Sequence, residues 1–296
     1  MEERLLALVR LCFLTYGATE IRFDVRHQET KIETRIDGVN RLIKSKYEDY
    51  KLIRYLMYLA NLDVGNMLTP QTGSFEIEVD GKLMMMRFAV INTESGSSAV
   101  LRYLNSIKNI KYSDPIKEFA NSVQESAKKG CGLYLITGPC GSGKTTLAYS
   151  ILKSLKNIKA YSAEDPIEVF IDSIVQVAIN PEIGLTTENA IKQILRHDPQ
   201  LIYCEINDSS AARMAQIAAN TGHTVLASMH AGTCESAINR LIEYGIDKNQ
   251  LFETLRSVIN LKLEHTEDGK TNQMSQIMGI EAINKYKEEV KHEEER

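Results

Sequence analysis

The sequence predicts an α/β fold in which a mostly parallel sheet, covered by helices, follows a small α+β domain. From Gly132 onward, short apolar runs alternate with helical segments, which is typical of parallel strands joined by helices. Before residue 105, alternating apolar and polar runs flank polar turns, as in β-hairpins. We therefore expect domains at residues 1–104 and 115–296, joined by a linker over 105–114.

The first domain is predicted to combine two helices, near residues 2–16 and 50–62, with two hairpins. One hairpin pairs the alternating runs at 21–25 and 32–36. The other turns at Asp80-Gly81, because Asp-Gly between two apolar runs is a strong hairpin signal. Ser113-Asp114-Pro115 resembles a helix start, which sets the end of the linker.

The second domain is predicted to end in a helical region and a charged tail. Residues 285–296 are dense in charge and lack an apolar stripe, so we expect them to be solvated or frayed.

Composition excludes several classes of function. A formal charge of −4 and a pI near 5.9 lack the basic footprint of a nucleic-acid-binding protein, so no direct nucleic-acid partner is expected. The amino terminus lacks the pattern of a signal peptide, and no stretch has the roughly 18 apolar residues of a membrane span. Five cysteines form no Cys-x-x-Cys pair, which favours a reducing cytosol and no structural zinc.

Residues 138–145 carry the most specific chemical signal. They fit the pattern G-x-x-x-x-G-K-[ST] between an apolar run and a helix-favouring stretch, as in a P-loop NTPase. Glycines let backbone N–H groups turn toward phosphates, and the next helix points its positive end at the same oxygens. We expect Lys144 to bridge the β- and γ-phosphates of ATP and Thr145 to hold Mg²⁺. The residues of this cradle are Gly138, Pro139, Cys140, Gly141, Ser142, Gly143, Lys144 and Thr145.

Hydrolysis also needs a carboxylate beside the γ-phosphate, and several acids follow apolar runs. Glu205 ends the run Leu201–Cys204, while Glu164 and Glu168 follow the run at 158–162. The carboxyl edge of an open α/β sheet is where such folds bind ligands. His230 also lies just past a predicted strand. Taken alone, each acid is more often an ordinary loop residue, and a single histidine is more often structural.

The order of these segments resembles that of the secretion ATPases of type II secretion systems, type IV pili and DNA-uptake pseudopili. The resemblance covers roughly residues 15–265. Four segments of the second domain carry it: Gly138–Thr146 resembles the Walker A motif, Ala163–Glu168 the acidic "Asp box", Leu201–Glu205 with its lead-in the Walker B motif, and Thr221–His230 the "His box".

The first domain resembles the amino-terminal nucleotide-capping domain of that family. The similar segments are Gly17–Arg22, Arg35–Gly38, Pro70–Gly73 and the pair Arg87 and Arg102. The family fold implied is a RecA-like P-loop domain preceded by a PAS-like domain.

The resemblance also implies roles for single residues. Glu205 would position the attacking water, Glu164 and Glu168 would support Mg²⁺ and water, and His230 would sense the γ-phosphate. Arg87 and Arg102 would reach the phosphates when the first domain closes, although both also fit plain salt bridges on a sheet surface. Thr146 would complete the cradle.

The implied partners are further copies of the chain, in a hexameric ring, and an inner-membrane platform protein. The chain would then act in the cytoplasm, at the inner face of the membrane.

Some features depart from the family pattern. Cys204-Glu-Ile-Asn-Asp208 stands where Gly-Glu-Ile-Arg-Asp is usual, one residue shorter across the strand, so Asn207 replaces an arginine. The tetracysteine zinc element and the extra amino-terminal docking domain of many members are missing from the sequence. By these absences, the chain most resembles the assembly ATPase of the Gram-positive competence pseudopilus.

Other functions remain open at this stage. A retraction ATPase or a conjugation-type secretion ATPase would share these motifs. Asn207 also leaves open a scaffold that binds nucleotide without hydrolysing it. A small-molecule kinase is disfavoured, because no acceptor-binding segment stands beside the cradle.

Overall fold

The computed structural model describes residues 1–27, 29–36, 39–66, 68–93, 95–104, 112–265 and 271–294. The chain divides into two compact units, Met1–Ser106 and Ile107–Arg296. Most of the predicted linker, residues 105–111, lies outside the described residues, as do residues 37 and 38 of the Arg35–Gly38 segment. The first helix of the second unit begins at Asp114, after Ser113 as its N-cap.

The first unit is an antiparallel sheet with its helices packed on one face. Its sheet order is β3-β2-β1-β6-β5-β4. The elements are α1 (Glu2–Val9), continued by a π-helical stretch (Arg10–Thr15), β1 (Glu20–Arg26), β2 (Glu29–Ile36), β3 (Val39–Ile43), a 3₁₀ turn (Tyr47–Lys51), α2 (Leu52–Leu59), β4 (Gln71–Val79), β5 (Lys82–Thr93) and β6 (Gly96–Tyr103).

Apolar side chains at alternate positions of the strands form the core of this unit. Ile21 and Phe23 of β1 point to the same side as Ile32 of β2 and Phe88 of β5, and all four are buried against the helices. Both residues of the predicted Asp80-Gly81 turn adopt positive φ, 55° and 74°. Such a pair matches the right-handed twist of the flanking strands, which confirms the predicted hairpin.

The second unit is a seven-stranded sheet between two layers of helices, in the order β13-β12-β7-β11-β10-β8-β9. The elements are α3 (Asp114–Lys129), β7 (Gly132–Thr137), α4 (Lys144–Ser154), β8 (Ala160–Glu164), β9 (Val175–Ala178), a 3₁₀ turn (Pro181–Ile183), α5 (Thr187–Leu195), β10 (Leu201–Glu205), α6 (Ser209–Asn220), β11 (Thr224–Met229), α7 (Cys234–Glu243), α8 (Lys248–Thr254), β12 (Leu255–His265), β13 (Thr271–Met278) and α9 (Ile280–Glu294).

Six neighbouring strands of this sheet run parallel, and only the β12–β13 pair is antiparallel. Residues of β7 alternate between two buried clusters. Leu133 and Leu135 face α5 to α9, whereas Tyr134 and Ile136 face α3 and α4. Because helices cover both faces of the sheet, the sequences of its central strands are nearly continuous apolar runs. The predicted α/β fold class, a parallel P-loop sheet after an α+β unit, is confirmed.

The strand order decides which chain segments meet at the carboxyl edge. β11 lies between β7, which leads into the cradle, and β10, which carries Glu205. This is the order of a RecA-like domain, in which an extra strand separates the phosphate loop from the acid. The edge therefore gathers the ends of β7, β8, β10 and β11, where open α/β sheets bind ligands.

The carboxyl-terminal part of the second unit was predicted to be a helical region with a charged tail. Leu255–His265 and Thr271–Met278 form the antiparallel strands β12 and β13, which this prediction did not include. The segment 285–296 was expected to be solvated or frayed; α9 continues to Glu294, and its side chains at 285–290 are exposed or half-buried. Ile283 is fully buried in this helix, and Tyr286 packs on the same cluster, so apolar contacts at its start hold the charged segment.

No helix among the described residues is long and apolar enough to cross a membrane.

Candidate active site

The loop between β7 and α4 has a backbone that only glycines permit. Gly138, Gly141 and Gly143 have φ values of 148°, 73° and 94°. A Cβ at Gly138 would lie 2.4 Å from the carbonyl oxygen of Leu261 and 2.5 Å from Ser142 Oγ. No side chain fits between the loop and β12. The glycine pattern therefore follows from close backbone approach as well as from backbone conformation.

Two donors of this loop are left for a ligand. The hydroxyl of Ser142 is buried and has no hydrogen-bond partner among the described residues. The first turn of α4 follows Gly143 and has no side-chain cap, whereas the N-cap side chains of α5, α6, α7 and α8 each accept a backbone N–H. Uncapped N–H groups at a helix start form an anion site, so the loop fits a phosphate group.

The Lys144 ammonium lies over the same loop. Its Nζ donates to the carbonyl oxygens of Gly138 and Pro139, at 2.9 and 2.8 Å, and lies 3.4 Å from Nδ1 of His230. Burial lowers the pKa of Lys144, while the nearby Cys140, Glu205 and Glu168 oppose this effect. Because carbonyl oxygens hold the ammonium only weakly, a phosphate anion could displace them.

The remaining cradle residues lie in the loop and in the first turn of α4, on either side of Lys144. Pro139, Cys140 and Gly141 are exposed along the loop, whereas Thr145 and Thr146 lie half-buried in the first turn of α4. A hydroxyl in this turn is a hard oxygen donor, the type of ligand that Mg²⁺ prefers. The donor set of the cradle therefore fits a nucleotide accompanied by Mg²⁺.

Glu164, the last residue of β8, is buried and bonded on both carboxylate oxygens. Tyr149 donates to Oε2, while Ser162 and Gln176 donate to Oε1, the latter at 3.0 Å. Burial raises its pKa, the three hydrogen bonds oppose the rise, and the nearby charge of Glu168 adds to it. Glu164 is therefore a fixed acid, while Glu168 is exposed just beyond it.

Glu205 ends β10 and lies half-buried at the same edge, opposite Ser228 of β11. Burial raises its pKa, and the charges of Glu168 and Glu164 act in the same direction. Its one hydrogen bond among the described residues comes from Asn207 Nδ2, at 3.5 Å. A carboxylate with a raised pKa and few donors is suited to accept a proton or orient a water.

His230 follows β11, on the strand between the cradle and Glu205. Burial, followed by the charges of Lys144 and Arg240, lowers the pKa of its imidazole, while a hydrogen bond to the backbone of Gly138 opposes this. A neutral imidazole can hydrogen-bond a phosphate without adding charge. His223 lies at the opposite end of β11 and bonds to Thr221 and Ala218.

These side chains define the site, and comparison with known proteins places it in a family. Residues 3–293 match the family described as type II/IV secretion system protein. The chain belongs to this family. The family assignment made from the sequence motifs is thereby confirmed.

Single relatives support the assignment. The chain is 33% identical over 267 residues to the competence protein ComGA of Bacillus subtilis strain 168, covering 86% of this chain and 74% of that one. It is 31% identical over 270 residues to the type II secretion system protein E of Xanthomonas campestris pv. campestris, covering 88% of this chain but 47% of the relative. The chain thus spans about half the length of some relatives.

A solved structure supports the fold. The ATPase DotB of Legionella pneumophila superposes with a TM-score of 0.75 at 21% identity, covering 96% of this chain and 82% of DotB. At this identity, the likeness shows the fold alone.

In this family member, the first unit carries the two predicted arginines on neighbouring strands. Arg102 of β6 and Arg87 of β5 are directly paired in register. Arg102 forms an ion pair with Glu20, at 3.1 Å, as does Arg22, at 2.6 Å. Burial acts to raise the pKa of Glu20, but the two arginines outweigh it and lower that pKa. The salt bridge considered from the sequence is therefore present for Arg102.

Four residues that sequence reasoning missed organise the site: Tyr149, Gln176, Asn260 and Arg240. The Tyr149 hydroxyl donates to Glu164 and accepts from the backbone N–H of Glu168, at 2.9 Å. Gln176 ties Glu164 to the following loop through the carbonyl oxygen of Val169, at 3.0 Å. No local pattern marks these residues, because their partners are distant in sequence.

Proposed function

We propose that this chain is an ATP-hydrolysing motor that powers assembly of a competence pseudopilus or a related type IV pilus-like or type II secretion machine. One observation carries the proposal: the phosphate cradle, Glu164, Glu205 and His230 all lie at one carboxyl edge of a parallel sheet. Such an edge unites phosphate binding with acids that can act on water.

Binding of ATP is assigned to residues 138–146. The uncapped turn of α4, the Ser142 hydroxyl and Lys144 would hold the phosphates, with Lys144 leaving its carbonyl partners for the β- and γ-phosphates. Thr145 would hold Mg²⁺, which neutralises phosphate charge when bound. Glu164 would support the ion by its charge from behind the site, since a nearby cation favours the ionised carboxylate.

Two acids and a histidine would act on the attacking water and the γ-phosphate. Glu205 would orient the attacking water and accept its proton, because its raised pKa and sparse hydrogen bonding leave an oxygen free for this. Glu168, exposed beside it, would help to hold the water. His230, within 3.4 Å of Lys144, would sense the γ-phosphate.

Arg87 and Arg102 would supply positive charge to the phosphates when the two domains close. Loss of the γ-phosphate then removes contacts that favour closure, and the domains relax. We propose residues 1–104 and 115–296 as the moving domains and a homo-hexamer as the working assembly. The motor would act in the cytoplasm, on a platform protein of the inner membrane. The 33% identity to a competence protein supports the competence role.

The decisive experiment is to compare ATP binding and phosphate release by the purified chain with those of two variants. Calorimetry should detect Mg²⁺-dependent binding of ATP, and Lys144→Ala should lose at least about tenfold in affinity, because a charge-assisted contact to phosphate is removed. Glu205→Gln should retain binding but lose phosphate release by roughly 10²- to 10⁴-fold.

Two results would overturn the proposal. An absence of Mg²⁺-dependent ATP binding by the folded wild-type chain would remove its basis. Equal, slow phosphate release by wild type and Glu205→Gln, with ATP still bound, would favour a nucleotide-gated scaffold. In cells, a deletion strain should lose pseudopili and DNA uptake, whereas excess pili would indicate a retraction motor.

A further inference from the structure

Two turns at the carboxyl edge carry the groups that would act on the γ-phosphate. Glu205 is the last residue of β10 and Asn207 lies in the turn that follows it, and the turn after β11 contains His230 and Ala231. Their strands are neighbours, but strand pairing ends before the turns: the last bond between them runs from Ile206 N to Ser228 O, at 2.8 Å. Beyond this bond, contacts other than strand pairing hold the Asn207 turn against the His230 turn.

Two side chains at the end of α7 bridge these turns. Arg240 Nη1 donates to the carbonyl oxygen of His230, at 2.8 Å, and Arg240 Nε donates to the Tyr244 hydroxyl, at 3.1 Å. The same hydroxyl donates to the carbonyl oxygen of Asn207, at 3.2 Å. The guanidinium also lies 5.5 Å from the centre of the Tyr244 ring, which keeps the two side chains together.

We propose that Arg240 and Tyr244 are positioning residues that lock the His230 turn to the Asn207 turn, which directly follows the strand end at Glu205, and we call this pair the α7 strap. The inference rests on the proposed function, because it concerns how that site is held. Both attachment points are backbone carbonyls, so the strap fixes the turns whatever side chain occupies position 207.

A second, buried attachment shows what the strap adds. Asn260 of β12 donates to the carbonyl oxygen of Ala231, at 3.0 Å, and to Thr137 Oγ1, at 2.9 Å. This attachment ties the His230 turn to β7 and the cradle. Loss of the strap would therefore leave His230 beside Lys144 but free its turn from the Asn207 turn that follows Glu205. The expected defect is in the chemical step, not in the binding of nucleotide.

The most selective test removes one hydroxyl. Tyr244→Phe deletes the bond to Asn207 and keeps the ring, and we expect kcat to fall about tenfold with KM and Tm nearly unchanged. Tyr286→Phe is the matched control. The Tyr286 hydroxyl, on α9, donates to the side chain of Asn239 on α7, at 3.0 Å, and does not contact either turn. Equal losses of kcat in the two variants, or none in Tyr244→Phe, would overturn the inference.

A double-mutant cycle tests whether the strap acts through His230. In a His230→Ala background, Tyr244→Phe should cause little further loss of kcat, because the group that it positions is already gone. Full, independent losses in the double variant would show that Tyr244 acts elsewhere and would overturn the inference.

A third readout needs no hydrolysis. The groups that face the His230 imidazole are the Lys144 ammonium, the Arg240 guanidinium and the backbone of Gly138, and the two cations lower its pKa. NMR titration of His230 should therefore give a higher midpoint in Arg240→Gln and an unchanged one in Arg213→Gln, an exposed arginine of α6. An unmoved midpoint in both would refute the contact even if ATP is hydrolysed.

The two proposals can fail separately. If the wild-type chain hydrolyses ATP but the strap variants behave like their controls, only the strap is wrong. If the chain neither binds nor hydrolyses ATP while the His230 midpoint still follows Arg240, the proposed function is wrong, and the catalytic consequence of the strap falls with it.

Discussion

Glu20 in the first unit and Glu164 in the second are almost equally buried, with 4% and 3% of their surface exposed, but their pKa values move in opposite directions. Glu20 accepts from two arginines, so its charged form is favoured. Glu164 accepts only from neutral donors and lies near another carboxylate, so burial dominates. A small exposed surface alone therefore does not set the direction in which the pKa of a glutamate shifts, and the charges of its partners contribute to that direction.

The contrast distinguishes Glu20, a carboxylate that stabilises the fold, from Glu164, a carboxylate of the proposed active site. The first unit compensates its acid within the sheet, which stabilises the fold. Among the described residues of the second unit, Glu164 has no cationic partner, and Glu205 is influenced only weakly by Lys144. A buried carboxylate without a cationic partner lowers the free energy of unfolding. Such a residue is retained where a ligand supplies the missing positive charge. The four predictions below test this distinction with matched substitutions.

The largest expected effect is on activity. Glu164→Gln should lower phosphate release roughly 100-fold, because the amide cannot supply negative charge beside the nucleotide and its metal. Glu20→Gln keeps an oxygen that accepts from Arg102, so its loss should be much smaller. Steady-state rates of the two variants measure the difference, and similar losses would remove the distinction between the two acids.

The next effect is on stability at the functional acid. Tyr149→Phe removes one donor from Glu164 and the acceptor of the Glu168 backbone N–H, and it should lower the free energy of unfolding by about 1–3 kcal/mol. Urea unfolding measures this. Tyr134→Phe is the control, because its hydroxyl donates only to the carbonyl oxygen of Ser122, at 3.2 Å, and should cost less. A larger cost in the control would contradict the role of Tyr149.

A smaller effect is expected at the structural acid. Glu20→Gln should cost about 1 kcal/mol, since Arg22 and Arg102 are 41% and 55% exposed and water screens both pairs. The cost should shrink in 1 M salt. Glu33→Gln, which breaks only the Lys31 pair, should have almost no effect. A salt-independent cost at Glu20 would point to packing instead of charge.

The smallest effect is on the pH dependence of stability, and the two acids should act with opposite signs. The lowered pKa of Glu20 gives stability that is present above the ordinary glutamate pKa and lost as pH falls through the folded value. The raised pKa of Glu164 makes the folded chain bind more protons just above the ordinary value, so its contribution declines as pH rises there.

Thermal midpoints from about pH 3 to about pH 8 check both signs. Glu20→Gln should weaken the loss of stability on the acid side, and Glu164→Gln should weaken the decline above the ordinary glutamate pKa. The same slope change in both variants would contradict the opposite signs.

Much of the second unit could be predicted from local signals. The phosphate loop needs glycines within one short segment, and β10 begins at Leu201, where the apolar run that ends in Glu205 begins. The Asp80-Gly81 turn was also predicted from a signal within a few neighbouring residues. β3 was missed because its residues are mostly exposed and show no apolar–polar alternation, and β12 was missed because it pairs with β7, a strand that is distant in sequence.

The sequence by itself determined the phosphate loop, the alternation of strands and helices, and the acids at strand ends, because each depends on residues within a few positions of one another. Only the tertiary structure decided that Tyr149 bonds to Glu164, that Asn260 and Arg240 hold the His230 turn, and that the pKa values of two glutamates with similarly little exposed surface shift in opposite directions. The physical reason is distance along the chain. Hydrogen-bond partners and electrostatic fields depend on where strand order brings separate segments, and strand order is a property of the whole sheet.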